Sequence, residues 1–245
     1  MVAAKPKTTA RTAPPPPSVR KALIAALVSY FVISHFIPFG PELLYPLTLL
    51  ATWVHEMGHG LAALAVGGHF LQLDIFGDAS GLAQTTSSAP WQRGLVAAGG
   101  LLAPPIVGSG LLALSRGPRR ARVFLLVLTL AIVVSLAVWV RSAVGLITLP
   151  ILAALIGLFV SAKVGTPWRR MVFAQFLGVV LAIDTVTRVD YLFTPSAKIG
   201  GVLRASDISS VATSFGGHYL LWGALLAAVS FGLLALGLRS AWRAQ

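Results

Sequence analysis

The chain has no cysteine, only two glutamates and only seven acidic residues in 245 positions. Without cysteine there can be no disulfide, no thiolate nucleophile and no cysteine-ligated zinc. Charged residues are also scarce, at 11% of the chain. Soluble domains carry roughly 25%. With 56% hydrophobic residues and a mean hydropathy of +0.84, a water-soluble globule is excluded. An apolar helix needs about 20 residues to cross a bilayer, so the chain holds material for six or seven spans. Little remains for a separate soluble domain. The net charge of +12 comes from 19 Lys and Arg held in short tails and loops. That is the pattern of basic residues at anionic lipid surfaces, and nucleic acid is not an expected partner. Arginine outnumbers lysine 14 to 5 beside many Ala and Gly residues, as in a GC-rich bacterial genome, and a bacterial inner membrane is the expected location.

Residues 1–20 read as a disordered, basic, Pro-rich tail, with four consecutive prolines from Pro14 to Pro17. Residues 21–245 read as a single transmembrane domain. Apolar runs at about 22–39, 43–66, 94–114, 123–160 (two spans folded near Arg141), 171–186 and 219–238 supply the crossings. A polar stretch at about 67–90 contains an alternating segment, with Leu71, Leu73 and Ile75 on one face, then turn residues and a returning strand. A second polar segment at about 188–217 is expected to carry a short interfacial helix from Ser206. The expected class is an all-α polytopic membrane protein: a bundle of six or seven transmembrane helices, with a short β-hairpin after the second. Counted over seven crossings, the basic residues divide ten against nine and give no orientation bias. The dense N-terminal tail alone favours a cytoplasmic start.

The second run contains His55-Glu56-Met57-Gly58-His59. On a helix, residues i and i+4 lie about 40° apart, so both imidazoles leave one face and can grip one metal ion. Glu56 is turned about 100° from His55, beside the metal position without being a ligand. Zinc lowers the pKa of a water it holds, and a neighbouring carboxylate accepts a proton as that water attacks a carbonyl. A structural polar cluster is the competing reading, but ionisable side chains inside a membrane are costly and mark function. Small or polar residues (Thr48, Ala51, Thr52, Ala62) flank the histidines and mark a face turned toward other helices.

The third ligand is less direct. Ala62 and Ala65 exclude the metzincin continuation, and Glu42, the only other glutamate, starts the same span. His35, His69 and His218 sit at span ends and read as interfacial. Among the late acids, Asp184 lies 13 residues into its span, as His55 and His59 lie 12 and 16 into theirs, so Asp184 is assigned as the third ligand. Asp190 reads as an ion-pair partner of Arg188. Asp207, after Ser206, reads as a first-turn acid near a helix cap, and is next in line if the chain re-enters.

Together these residues resemble the site-2 protease-like intramembrane zinc metalloproteases, in their compact branch without a PDZ domain. The resemblance covers about residues 43–240. It rests on His55 to Gly60 within a span, Gly67-Gly68 and the strand-like segment after it, Ala97 to Gly100, the late Asp184, and Ser206-Asp207. It implies one Zn2+ ion on His55, His59 and Asp184, with Glu56 as catalytic base. The sequence departs from the family at Ile183-Asp184-Thr185, where many members have Asn-Pro-x-Asp-Gly or Leu-Asp-Gly.

The expected function is cleavage, in or near the membrane, of a membrane-protein substrate, most simply one with a single span. The hairpin is expected to receive an unwound substrate segment by strand addition. The alternative is a zinc-binding membrane protein without protease activity, a metal carrier or a scaffold. Glu56 argues against it, because a carrier needs no base between its ligands. A proton-relay transporter would predict inverted repeats, and none are visible.

Overall fold

The computed structural model describes residues 18–243. The expected tail lies outside these residues except for its last three, where α1 already begins. The elements in order are α1 (Val19–Phe36), α2 (Gly40–Ala65), β1 (His69–Ile75), β2 (Gly81–Thr86), α3 (Pro90–Leu114), α4 (Pro118–Val138), α5 (Ala143–Val160) and α6 (Pro167–Thr187). A 3-10 turn (Val189–Phe193), β3 (Ser196–Ile199), β4 (Val202–Ala205), α7 (Asp207–Phe215) and α8 (Tyr219–Arg243) complete the chain. Among the described residues, six helices are long and apolar enough to cross a membrane: α1, α3, α4, α5, α6 and α8. The protein is therefore a multi-pass helical membrane protein with two small two-stranded sheets.

Helix α2 is the longest at 26 residues, but Glu42, Pro46 and the motif itself interrupt its apolar character. It is held by close backbone approach. A Cβ on Gly58 would meet the Gly99 carbonyl and Ala103 Cβ at 2.5 Å, so glycine here lets α2 cross α3 in contact. Gly60 leaves room for the Phe70 ring, which stacks on Trp139 with centroids 4.7 Å apart. A few polar bonds tie buried helices together: Trp53 Nε1 donates to Ser135 Oγ at 2.9 Å, and Gln175 Nε2 to the Leu112 carbonyl at 3.1 Å. Bonds of this kind inside a membrane average about 0.6 kcal/mol, so helix packing carries most of the stability.

The hairpin after α2 forms where the alternation predicts it, with one local difference. A bulge between Phe70 and Gln72 adds a residue to β1. Leu73 and Ile75 are buried as expected, but the bulge turns Leu71 outward and Phe70 inward. The outer edge of β1 is covered by the α4–α5 turn. Leu73 N–H donates to the Trp139 carbonyl at 2.9 Å, Arg141 N–H donates to the Leu73 carbonyl at 3.1 Å, and Ile75 N–H donates to Ser142 Oγ at 2.8 Å.

The polar segment after α6 contains the expected short helix, α7, capped by Ser206. It also contains a second hairpin, β3–β4, that the sequence reading did not identify. Its turn, Gly200-Gly201, has positive φ at both residues, and Gly200 N–H donates to Ser80 Oγ at the tip of the first hairpin, 3.0 Å away.

Of the seven apolar runs expected to cross, the one not among these six helices is α2. Arg20, at the start of α1, donates to the Trp242 carbonyl at the end of α8, and its guanidinium lies 5.7 Å from the Trp242 ring centroid. The described chain thus starts and finishes at one end of the bundle, which fits an even number of crossings.

Candidate metal centre

The helical spacing of His55 and His59 brings their Nε2 atoms to 3.1 Å from each other. The His59 Nδ1–H donates to the Val96 carbonyl on α3 at 2.9 Å. That bond places the proton on Nδ1 of the neutral ring and leaves the Nε2 lone pair facing His55. Gly100 is required beside it, because a Cβ there would collide with the His59 imidazole. Glycine on α3 thus sets how closely the ring can be held.

The third member of the group is Asp207, the first residue of α7. Its Oδ2 lies 3.1 Å from His55 Nε2 and 3.4 Å from His59 Nε2. Tyr191 Oη donates to the same oxygen at 3.2 Å, so the carboxylate is itself oriented by the 3-10 turn. Packing pushes the Asp207 carboxyl up, but the two facing imidazoles more than reverse this and hold it below the usual carboxylate range.

The donor set fits a metal ion. Bonds of roughly 2.0–2.2 Å to nitrogen and oxygen put the ligand atoms of a tetrahedral site about 3.3 Å apart. The three separations here are 3.1, 3.1 and 3.4 Å. Two imidazoles and a carboxylate are also ligand types that zinc takes, with a fourth position left for water or substrate.

Asp184, the acid assigned from span depth, is not brought into this group. Its Oδ1 accepts from Arg188 Nε, four residues on in the same helix, at 2.9 Å. Depth alone does not bring Asp184 to the histidines, because α6 ends at Thr187. The chain then doubles back through the 3-10 turn and β3–β4, and α7 begins level with the histidines. Ser206 does cap α7, its Oγ accepting from Ser209 N–H, so Asp207 is both a first-turn acid and a member of the cluster. Asp190, expected to pair with Arg188, makes no ion pair among the described residues. The i,i+4 spacing of Asp184 and Arg188 was the available signal that this carboxylate already had a partner.

Glu56 is 5% exposed and faces β2. Its Oε2 accepts from Ala83 N–H at 2.7 Å. A Cβ on Gly81 would come within 2.6 Å of the carboxylate, so glycine at the start of β2 lets strand and side chain meet. One turn earlier on α2, Thr52 Oγ1 donates to the Ala79 carbonyl at 2.8 Å and pins the hairpin tip to the same helix.

These groups open on a cavity of about 890 Å³. His55, Glu56, His59 and Asp207 line one part of it. The outer edge of β2 (Gly81, Ala83, Thr85) forms a wall, and Ala197, Ile199 and Ala205 of the second hairpin form another. The strand edge facing the cavity is that of β2, because the outer edge of β1 is taken by Trp139–Arg141. Asp184 and Arg188 border the same cavity and also line a smaller one of about 150 Å³ beside Tyr30 and Thr48.

A family model described as Peptidase M50B-like matches residues 22–237. No curated protein and no solved structure matches the chain.

Proposed function

The chain belongs to the Peptidase M50B-like family, whose members are membrane metalloproteases, and on that premise we propose that it is an intramembrane zinc endopeptidase. The observation that carries the reading is the convergence of His55, His59 and Asp207 at tetrahedral-edge distances, with the Glu56 carboxylate on the same cavity wall. Asp207, rather than Asp184, is proposed as the third ligand. A zinc ion held there would lower the pKa of a bound water and polarise the scissile carbonyl. Glu56 is suited to take a proton from the attacking water at its carboxylate and pass it to the leaving amide nitrogen. The Ala83 N–H holds Glu56 in place for both transfers. A carrier or scaffold would have no use for a carboxylate so placed.

The substrate is proposed to be a membrane protein with a segment that unwinds near the cavity. An intact helix hides its carbonyls in hydrogen bonds, so the scissile stretch must be extended before it can react. The outer edge of β2, next to Glu56, offers backbone groups to an added strand. The membrane is taken to be a bacterial inner membrane, on the strength of the Arg-rich composition.

The test is co-expression of candidate single-span proteins with wild type and Glu56→Gln, with metal analysis of both purified proteins. Cleavage by wild type alone, with metal in both, supports the reading. Cleavage by the Gln variant would overturn it.

A further inference from the structure

Among the described residues, prolines stand inside three helices: Pro46 in α2, Pro104 and Pro105 in α3, and Pro150 in α5. A proline has no N–H, so it leaves the carbonyl four residues earlier without its helical donor. Pro46 and Pro150 each do this once. The consecutive pair in α3 does more. The Leu101 carbonyl has Pro105 at i+4, where the α-helical donor would be, and Pro104 at i+3, where a 3-10 donor would be. Both N–H groups are missing. The side chains that do reach α3 carbonyls among the described residues go elsewhere, His59 to Val96 and Gln175 to Leu112.

On a helix, a carbonyl emerges between the side chains at i, i+3 and i+4. Here these are Leu101, Pro104 and Pro105, and both Leu101 and Pro104 line the cavity of about 890 Å³ that holds His55, Glu56, His59 and Asp207. The preceding residue, Gly100, is the one that backs the His59 ring. Leu101 itself belongs to an apolar cluster with Ile208, next to Asp207 in α7, and with Leu226 and Ala227 of α8. Helix α8 adds Ser230 to the same lining, a buried side chain that makes no hydrogen bond among the described residues. An unpaired carbonyl facing lipid is costly, whereas irregular backbone that opens on a cavity is tolerated. The break in α3 therefore falls where a ligand can use it.

We propose that the Leu101 carbonyl is a substrate-binding group, accepting a backbone N–H from the extended segment that occupies the cavity. The identity of that ligand rests on the protease reading. Successive backbone N–H groups of an extended peptide point to opposite sides. A strand added to the β2 edge has one set of its backbone groups engaged there. The other set is turned away from β2, where each bond left unmade is costly. The Leu101 carbonyl meets one N–H of this second set, and so fixes which residue of the segment lies beside the metal ligands. The proline pair keeps the carbonyl free for this, since an N–H at position 105 would close it into the helix.

Pro105→Ala supplies the missing donor and touches no proposed metal ligand. Removing a proline from a helix interior should raise the thermal midpoint, which separates lost binding from misfolding. The probe is a fluorescent synthetic peptide carrying the transmembrane segment of a candidate single-span protein. It is bound in detergent to Glu56→Gln, so that nothing is cut. Adding Pro105→Ala should weaken binding by about 3–10-fold, the loss of one hydrogen bond, with metal content unchanged. Adding Pro150→Ala should not, because neither it nor Leu146, four residues earlier, lines the cavity. Peptides with one backbone N–H at a time replaced by an ester oxygen should identify a single position. The ester there should cost the same amount in Glu56→Gln and nothing further once Pro105→Ala is added. Equal binding with and without Pro105→Ala, or ester losses that add to it at every position, would overturn the proposal. So would the absence of binding by every candidate peptide. Binding that follows the expected pattern, with no cleavage of the same segment by wild type, would count against the protease reading and leave the acceptor role standing.

Discussion

Glu56 is the residue where chemistry and packing separate most cleanly. It has the charge of a ligand but is turned away from the histidine face and bonded to β2. Glu56→Gln keeps the acceptor oxygen for Ala83 and removes the proton acceptor. Metal content should therefore stay at wild-type level while cleavage falls by about 10²–10⁴-fold, the range for loss of a general base. Metal analysis beside a cleavage assay checks both halves. Asp207 and Asp184 divide differently. Asp207→Asn should lose metal and activity together, because a neutral amide is a poor zinc ligand. Asp184→Asn should keep its metal, because that carboxylate is engaged with Arg188. The reverse pattern in well-folded proteins would restore Asp184 as the ligand. Tyr191→Phe removes only the hydroxyl that steadies Asp207 and should weaken metal affinity by about 10–100-fold, as outer-shell losses do. Competition with a metal indicator would measure it.

At the scale of elements, the first hairpin is a wall of the cavity that holds His55, Glu56 and His59, braced from behind by the α4–α5 turn. Ser142 accepts from Ile75 N–H, and Trp139 Nε1 donates to the Phe70 carbonyl at 3.0 Å. Trp139→Ala should leave the metal in place, since no ligand is touched, yet slow cleavage by loosening the strand that positions Glu56. The expected signature is reduced turnover with unchanged metal content, and loss of metal would show that the hairpin is needed for the centre itself. Substrate crosslinking should be strongest from Thr85 on the β2 edge, and weak from Gln72 on β1. Much of this was legible in advance: seven helical segments, the hairpin, and the capped helix at Ser206 all follow from periodicity and turn residues. The bulge at Leu71 was hidden because alternation assumes a regular strand. The second hairpin was hidden because Ser196–Ala205 has too few apolar alternations to register against its polar surroundings. Asp207 was visible as a cap acid, but its place beside His55 and His59 depends on a reversal of the chain that local sequence does not encode.

For the whole molecule, the proposed metal centre would be a long-range tie. His55 and Asp207 are 152 residues apart in sequence, one on α2 and the other on the short α7 that precedes the last crossing. An ion bound by both stabilises the folded state in proportion to RT ln(1 + [M]/Kd), about 2.7 kcal/mol when free metal exceeds Kd a hundredfold. A strong chelator should therefore lower the thermal midpoint of the purified wild-type protein, and readdition of zinc should restore it. The same shift is expected for Glu56→Gln and Asp184→Asn, which keep all three proposed ligands. Asp207→Asn should start lower and respond little to chelator, because the tie is already cut. Thermal scans with and without chelator on these four proteins are enough to check this. A chelator response in Asp207→Asn as large as in wild type would mean that the stabilising ion is held elsewhere, and the assignment of the centre would fail.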